Sequence, residues 1–501
     1  MPVVDLRYGS QTHVVDLSCS GQHYTPGHMP QLSLPPRYGD HEFGWQKLYG
    51  AVYRIQGCFG AHRLIVSDPT ALQYILNSPN FFLGPTLDAV VNLMFGARSV
   101  ICARWNEHRR LRAALNVGFT AAAVQNCLPV FRKVAEMISE ELEKSSKAST
   151  NVCPILSNAT LSAVSEAILG YSLQDLGEDF VANNNRIVQL AASQSKTQIL
   201  ADAIGACLPS WFWRGAMYLP TTAFQIIRKE RHLTERIGRR IVREKRDAAG
   251  KGVEIDGDVF GLLLQNTSDD TRKLSEGDVV AQTALILVAG QETTANTIAW
   301  ALLELARNPD FQEKLQAEVH SMSGEGAGHA SYNNMPLLNA LIKETLRLYP
   351  AGPMSERVAL QDTGIPLADA ITTVTGERIN QIHVQKGQVI TLAITSYQRL
   401  HSRWGDDADT FNPSRWLDGA PYQGDAVGPY ANLLSFLGGP RICLGWRFAI
   451  LETQVILCEL VAKFSFAEPE NTRVCPQYMN QLLPIAANGE KALFLHVTRL
   501  L

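Results

Sequence analysis

Residues 436–445 read Phe436-Leu-Gly-Gly-Pro-Arg-Ile-Cys-Leu-Gly445, and Trp446-Arg-Phe-Ala-Ile-Leu-Glu follows at once. The one thiol of this run, Cys443, stands between the pair Gly438-Gly439 and Gly445, with Arg441 two residues before it. Glycine lets a backbone turn sharply and lie close against a flat body. The apolar segment after Gly445 suits a helix, whose N-terminus, with the loop N–H groups, would favour an ionised sulfur. A buried structural cysteine beside a glycine turn is the competing reading.

Phe436, Gly439, Arg441, Cys443 and Gly445 fit the pattern Phe-x-x-Gly-x-Arg-x-Cys-x-Gly. The stretch resembles the haem-binding loop of the cytochrome P450 family. The resemblance implies haem b (iron protoporphyrin IX), with Cys443 as the metal ligand. It implies that Phe436, Gly439 and Gly445 shape the loop and that Arg441 meets a haem propionate. A thiolate ligand pushes electron density onto iron and favours O–O cleavage. The fold expected with it is the cytochrome P450 fold, mainly α with a small β-rich portion.

Composition agrees with one large folded body. The chain has 501 residues, 46% of them hydrophobic, and a formal net charge of −3. Such a balance leaves ample material for a core and no bulk positive charge for nucleic acid. Length alone would suggest about three domains, yet no linker, repeat or charge block divides the sequence. We expect residues 1–31 to be a poorly ordered segment without a membrane anchor and 32–501 to be a single catalytic domain. The nine cysteines are scattered, odd in number and without Cys-x-x-Cys. That pattern disfavours a disulfide framework or zinc and suits a reducing compartment.

Along the chain, strands are expected at 51–55 and 63–67, and Asp68-Pro69 opens a helix. A basic helix is expected at 104–116, and longer ones at 121–144, 158–169 and 224–249. The apolar, aromatic stretch 203–219 is broken by Pro209. It is too interrupted to span a bilayer but suits a membrane surface, a cavity roof or core. Ser275 and Asp278 resemble a capping box that starts a helix of some 30 residues, apolar on most sides and suited to threading a core. Beyond Pro350 short strands are expected at 356–359, 378–379, 383–384 and 389–392, and again near 493–497.

Three further constellations carry chemistry. Ala289-Gly-Gln-Glu-Thr-Thr294 lies in the middle of the long helix, where Gly290 and hydroxyls that bond back to the i−4 carbonyl weaken regular geometry. It resembles the family's oxygen-activation motif. That match implies a local opening for dioxygen, a hydrogen bond from Thr293 to activated oxygen, and a path for solvent protons through Glu292. Glu344-Thr-Leu-Arg347 with Arg415 and Trp416 resembles the family's buried Glu-Arg-Arg triad, a structural device. Trp105 and Arg109 resemble the Trp-x-x-x-Arg of the family's haem-propionate helix, and Arg357 is a further propionate candidate.

His108, Arg110, Arg112 and Arg447 would offer a basic face to an acidic electron donor. By the same resemblance, the substrate pocket draws on 83–100, 285–293, 351–354 and 482–485. Those stretches are mostly aliphatic, which suits an apolar, terpenoid-like substrate.

The activity implied is a haem-thiolate monooxygenase that hydroxylates or epoxidises an apolar organic substrate. Its electrons come from NADPH through NADPH–cytochrome P450 reductase, with cytochrome b5 as a second candidate donor. The segment 362–387 looks like fungal, basidiomycete-type microsomal members. Specialised metabolism or xenobiotic oxidation would suit such a protein. A monomer at the cytosolic face of the endoplasmic reticulum is expected if a family-type anchor precedes this sequence, and a cytoplasmic protein otherwise. Two other readings stay open: a reductase-independent isomerase or dehydratase, and a non-catalytic haem sensor or carrier.

Overall fold

A computed structural model describes residues 6–7, 26–145, 149–251, 258–265, 274–322, 332–373, 376–417, 419, 426–470 and 472–500. Its axis is one continuous helix, Glu276–Arg307, 32 residues long. Both halves of the expected capping box are present. The Ser275 side chain accepts from the Asp278 N–H, and the Asp278 side chain accepts from the Ser275 N–H. Most residues between Val279 and Leu305 are buried. The helix is wrapped by Val152–Val164, Thr222–Gly250, Pro336–Leu348 and Trp446–Lys463.

The main sheet has five strands in the order Val52–Gln56, His62–Val66, Val389–Leu392, Ser355–Ala359, Phe81–Leu83. Only the pair His62–Val66 with Val389–Leu392 is parallel. Asp68 caps the next helix, Pro69–Asn77, by accepting from the Ala71 N–H at 2.8 Å. Smaller sheets join Phe464–Ala467, Phe494–Arg499 and Thr150–Asn151, and pair Val474–Tyr478 with Leu482–Ala486.

Several boundaries differ from the sequence reading. The stretch 121–144 is two helices, Ala121–Gln125 and Leu128–Ser145. Pro129 marks the second start, because proline fits the first turn of a helix but not its interior. The strand Thr363–Thr373 was not anticipated, and the pieces near 379 and 383 are one strand, Arg378–Val384. The two pair antiparallel with an irregularity between Pro366 and Ile371 that breaks the alternation a sequence pattern needs. Residues 203–219 fall in two short helices, Lys196–Ala206 and Ser210–Ala216.

Of the segment 1–31, residues 1–5 and 8–25 lie outside the described residues. Leu6–Arg7 pair with Thr372 and Thr373, and Met29 is buried. Among the described residues one helical run, Val152–Leu169, is long and apolar enough to cross a membrane, and 78% of it is buried inside the protein. It ends in a π-turn, Ser165–Leu169, closed by Gly170 in the left-handed conformation.

Gly290 has a packing reason. A Cβ there would come within 2.5 Å of Val164 Cγ2, where the central helix crosses Val152–Val164. The helix runs without interruption across it, from Glu276 to Arg307. Overpacking costs about 1–3 kcal/mol and alanine gains about 1 kcal/mol of helix propensity. Gly290→Ala therefore destabilises the protein by about 1 kcal/mol net. Denaturant unfolding measures this, and a stabilised variant would show that the crossing yields freely.

Candidate active site around Cys443

The loop that carries Cys443 is built from two short 3-10 turns, Leu434–Phe436 and Gly439–Arg441. The Cys443 N–H donates to the Phe436 carbonyl (2.8 Å), which ties the loop's two ends together. Gly439 has φ +65°, and a Cβ on it would lie 2.4 Å from the Leu76 carbonyl oxygen. A backbone carbonyl cannot swing away, so only glycine fits. Gly445 is different: its Cβ would meet nothing nearer than Phe119 at 3.8 Å. Its place is the N-cap of Trp446–Lys463, two residues after the cysteine.

Cys443 combines two properties that rarely meet. Its side chain has accessible surface, yet protein surrounds it closely enough for burial to push its thiol pKa up. An internal cavity produces that combination. Opposing the burial are a hydrogen bond from the Gly445 N–H and the charge of Arg112. The ionised sulfur expected from the sequence is therefore not favoured in the free thiol. A coordinated metal would remove the proton outright.

A second feature lies on the central helix. Leu285, Val288, Ala289, Gly290 and Thr293 are exposed or half-buried in the middle of an otherwise buried helix, with Ala289 the most open. Their spacing of three and four places them on one stripe. The stripe borders open space within the fold.

The third feature is unbalanced positive charge. Arg357 is 3% exposed on the strand Ser355–Ala359. It donates to Ser355 Oγ (2.9 Å) and to the Glu356 carbonyl (2.8 Å). Among the described residues no carboxylate pairs with it. Burial, and secondarily Arg441, pulls its pKa down to about 10. Arg441 donates to the carbonyls of Ile101 (3.1 Å) and Ala103 (2.7 Å) and lies 4.7 Å from the Phe82 ring centroid. Its pKa is lowered too, by burial and then Arg104, and burial lowers that of Arg112. Buried guanidinium groups without acids are costly unless an anion completes them. A planar group with two carboxylates and a metal that takes one thiolate fits this donor set.

A family model for cytochrome P450 matches residues 20–494. The chain belongs to the cytochrome P450 family. Cytochrome P450 monooxygenase 205 of Postia placenta is 32% identical over 452 residues, which are 85% of this chain and 81% of that protein. Cytochrome P450 monooxygenase claO of Ampulloclitocybe clavipes is 28% identical over 444 residues, 85% of this chain and 81% of that one. This cytochrome P450 is thus a monooxygenase and an oxidoreductase, using haem iron, reductase-supplied electrons, O2 and an organic substrate.

Other residues of this P450 fall as follows. Trp105 opens the helix Trp105–Leu115 with φ +49° and is 58% exposed; Arg109 is exposed as well. Neither side chain makes a hydrogen bond or ion pair with another described residue. Spacing puts Trp105, Arg109 and Arg112 on one helix face, and Arg112 acts on the Cys443 sulfur. Two members of the expected basic face need correction. His108 is buried, and burial with Arg441 and Arg112 pushes its pKa down to about 4, so it is neutral near pH 7. Arg110 is tied to Glu107 (2.7 Å) and Asp278 (3.0 Å). Arg447 stays exposed, with its guanidinium 4.2 Å from the Trp446 ring centroid.

Thr293 and Glu292 face different ways. The Thr293 hydroxyl, on the accessible stripe, donates to the Ala289 carbonyl at 2.8 Å. Glu292 is buried and accepts from Ser157 Oγ and Lys491 Nζ. Gln291 Nε2 also donates to Ser157 Oγ (3.0 Å), and Asn184 Nδ2 donates to Gln291 Oε1 (2.7 Å). Ser157 and Lys491 were not read from the sequence. They come from distant segments, and no local spacing signals their approach to Glu292. Of the expected pocket stretches, Leu482–Ile485 is buried in strand Leu482–Ala486, and the Leu482 carbonyl accepts from Trp300 Nε1 (3.2 Å).

The Glu-Arg-Arg cluster is assembled as expected. Glu344 and Arg347 are both fully buried and paired through two bonds of 2.8 Å. Arg415 Nε reaches Glu344 Oε1 (3.0 Å), and Trp416 Nε1 reaches Oε2 (2.9 Å). The Asn412 N–H adds a further bond to Oε1 (2.8 Å). Arg347 also donates to the carbonyls of Gln398, Ala408 and Thr410. The cluster thereby staples the helix Pro336–Leu348 to the segment that leads into the cysteine loop.

Proposed function

We propose that this monooxygenase hydroxylates or epoxidises an apolar substrate in the space between Cys443 and the stripe Leu285–Ala289–Thr293. The observation that carries the reading is the enclosed, accessible thiol facing the charge of Arg112, together with buried Arg357, which has no carboxylate partner among the described residues. In this reading Cys443 holds haem b through its sulfur. Arg357 and Arg441 complete the propionates, with Trp105 and Arg109 joining from their helix face. Phe436, Gly439 and Gly445 set the loop's shape, and residues 32–501 act as one catalytic unit.

Bound haem supplies the activation of dioxygen. The chain's own residues bring protons and exclude water. The Thr293 hydroxyl donates a hydrogen bond to the Ala289 carbonyl, which leaves its lone pairs free to accept. Glu292 sits at the inner end of a path whose outer end is the partly exposed Lys491. No bond joins Glu292 to Thr293, so transfer between them needs a rotation of the carboxylate or one bridging water.

Thr293→Ala should leave NADPH and O2 consumption nearly intact. Product should fall about tenfold to a hundredfold, with the difference released as peroxide. Oxygen-electrode and peroxide assays read this directly, and unchanged coupling would contradict the relay.

Electrons drawn from NADPH through NADPH–cytochrome P450 reductase, with cytochrome b5 as a second donor, suit the fungal relatives. Exposed Arg447 lies on the cysteine side as a docking charge. Residues 203–219 give the protein an apolar face: Ile204, Phe212, Tyr218 and Leu219 are exposed, Tyr218 at 81%. Such a face favours peripheral contact with the endoplasmic reticulum by a monomer. A role in specialised metabolism follows the same relatives.

A further inference from the structure

A cavity of about 720 Å³ lies between the helix Thr222–Gly250 and the first turns of the central helix, closed at one end by residues 94–98. None of the residues that line it is in the Cys443 loop, and its lining is part charged and part apolar. Five arginines line it: Arg98, Arg231, Arg239, Arg243 and Arg246. Three acids face them, Glu235, Asp247 and Glu276. Arg239 pairs with Glu235 (2.5 Å), and Arg246 pairs with Glu276. Among the described residues, Arg98, Arg231 and Arg243 have no carboxylate partner. Apolar side chains line it as well: Met94, Phe95, Val242, Val280, Ala281 and Ala284.

Ala281 and Ala284 belong to the same helix face as Leu285, Val288, Ala289 and Thr293, at spacings of three and four residues. At 1.5 Å per residue, the arginine level near Ala281 lies about 12 Å from Ala289 and about 18 Å from Thr293. A guanidinium favours carboxylate, sulfate and phosphate by charge and paired N–H geometry. The aliphatic residues Val280, Ala281 and Ala284 of the central helix favour a hydrocarbon body beside them.

We infer that this cavity anchors the charged end of the substrate, which is an amphipathic organic anion whose apolar body runs along the central helix toward Thr293. This rests on the monooxygenase reading of the Cys443 site and narrows its apolar substrate to one that carries a single anionic end. Arg98, Arg231 and Arg243 set specificity by holding the anion; the carbon to be oxidised lies about 12–18 Å away. Because these arginines are exposed, the attraction weakens with salt.

The test uses the haem-loaded full chain without membranes. Equilibrium dialysis compares dodecanoate, methyl dodecanoate and dodecyltrimethylammonium, with wild type and Arg231→Gln/Arg243→Gln. Wild type should bind dodecanoate about tenfold or more tightly than the ester, and the cation most weakly. The double variant should lose that preference while binding the ester as before, and 0.5 M salt should narrow it in wild type. Equal binding of acid and ester, binding of neither, or a preference untouched by the double substitution would each overturn the inference. Dialysis does not depend on the iron ligand, so failure here is separable from failure of the thiolate assignment.

Discussion

In the Cys443→Ser protein, turnover falls to background while the fold stays intact. The substitution changes one atom; the backbone bond from the Cys443 N–H to Phe436 is kept by serine, and the serine oxygen can still accept from the Gly445 N–H. A serine hydroxyl is a poor ligand beside a thiolate and supplies none of the electron density that assists O–O cleavage. Arg357 and Arg441 remain in place, so haem can still dock through its propionates and be counted. The variant should therefore show reduced haem content, an altered Soret band and no product above background. Wild-type spectrum and turnover in this variant would remove Cys443 from the site.

Glu344→Gln should be the most destabilising conservative change in the molecule. One carboxylate, fully buried, accepts from Arg347, Arg415, Trp416 and the Asn412 N–H. An amide of the same shape keeps some acceptors but removes the charge; buried Arg347 is left without a carboxylate among the described residues, while Arg415 keeps Asp407 (2.8 Å). Breaking a buried pair from one side costs about 3–5 kcal/mol, against a total stability of about 5–15 kcal/mol. The loss should appear as a lower thermal inactivation temperature and faster haem release, because the cluster braces the approach to the cysteine loop.

The double variant Glu344→Leu/Arg347→Met should not recover fully. The carbonyls of Gln398, Ala408 and Thr410 would lose their Arg347 donors. A Glu344→Gln protein as stable as wild type would mean that the cluster carries little of the fold.

What was legible in the sequence shares a property: the deciding residues are close neighbours in the chain. The cysteine loop spans ten residues, the Ser275–Asp278 capping box four, and the Asp68–Pro69 start two. Local chemistry settles such features wherever the rest of the chain goes. The Glu344–Arg347 pair was legible for the same reason, and Arg415 only because family resemblance bridged the gap to it.

Features decided by distant packing were not legible. Gly290 looked like a weak point in a helix, but the reason for it is Val164, a residue of another helix. His108 reads as one more basic residue until burial beside Arg441 and Arg112 makes it neutral. Lys491 and Ser157 reach Glu292 from opposite parts of the chain. Strand Thr363–Thr373 hid behind its own irregularity, where alternation fails between Pro366 and Ile371. The break before Leu128 was different, since Pro129 signalled it in plain view.

The most direct measurement is the absorption spectrum of the reduced wild-type protein under carbon monoxide. Thiolate ligation by Cys443 predicts the strongly red-shifted Soret band that only an anionic sulfur ligand gives. A band at the position of imidazole or oxygen ligation in freshly prepared, haem-replete protein would contradict it.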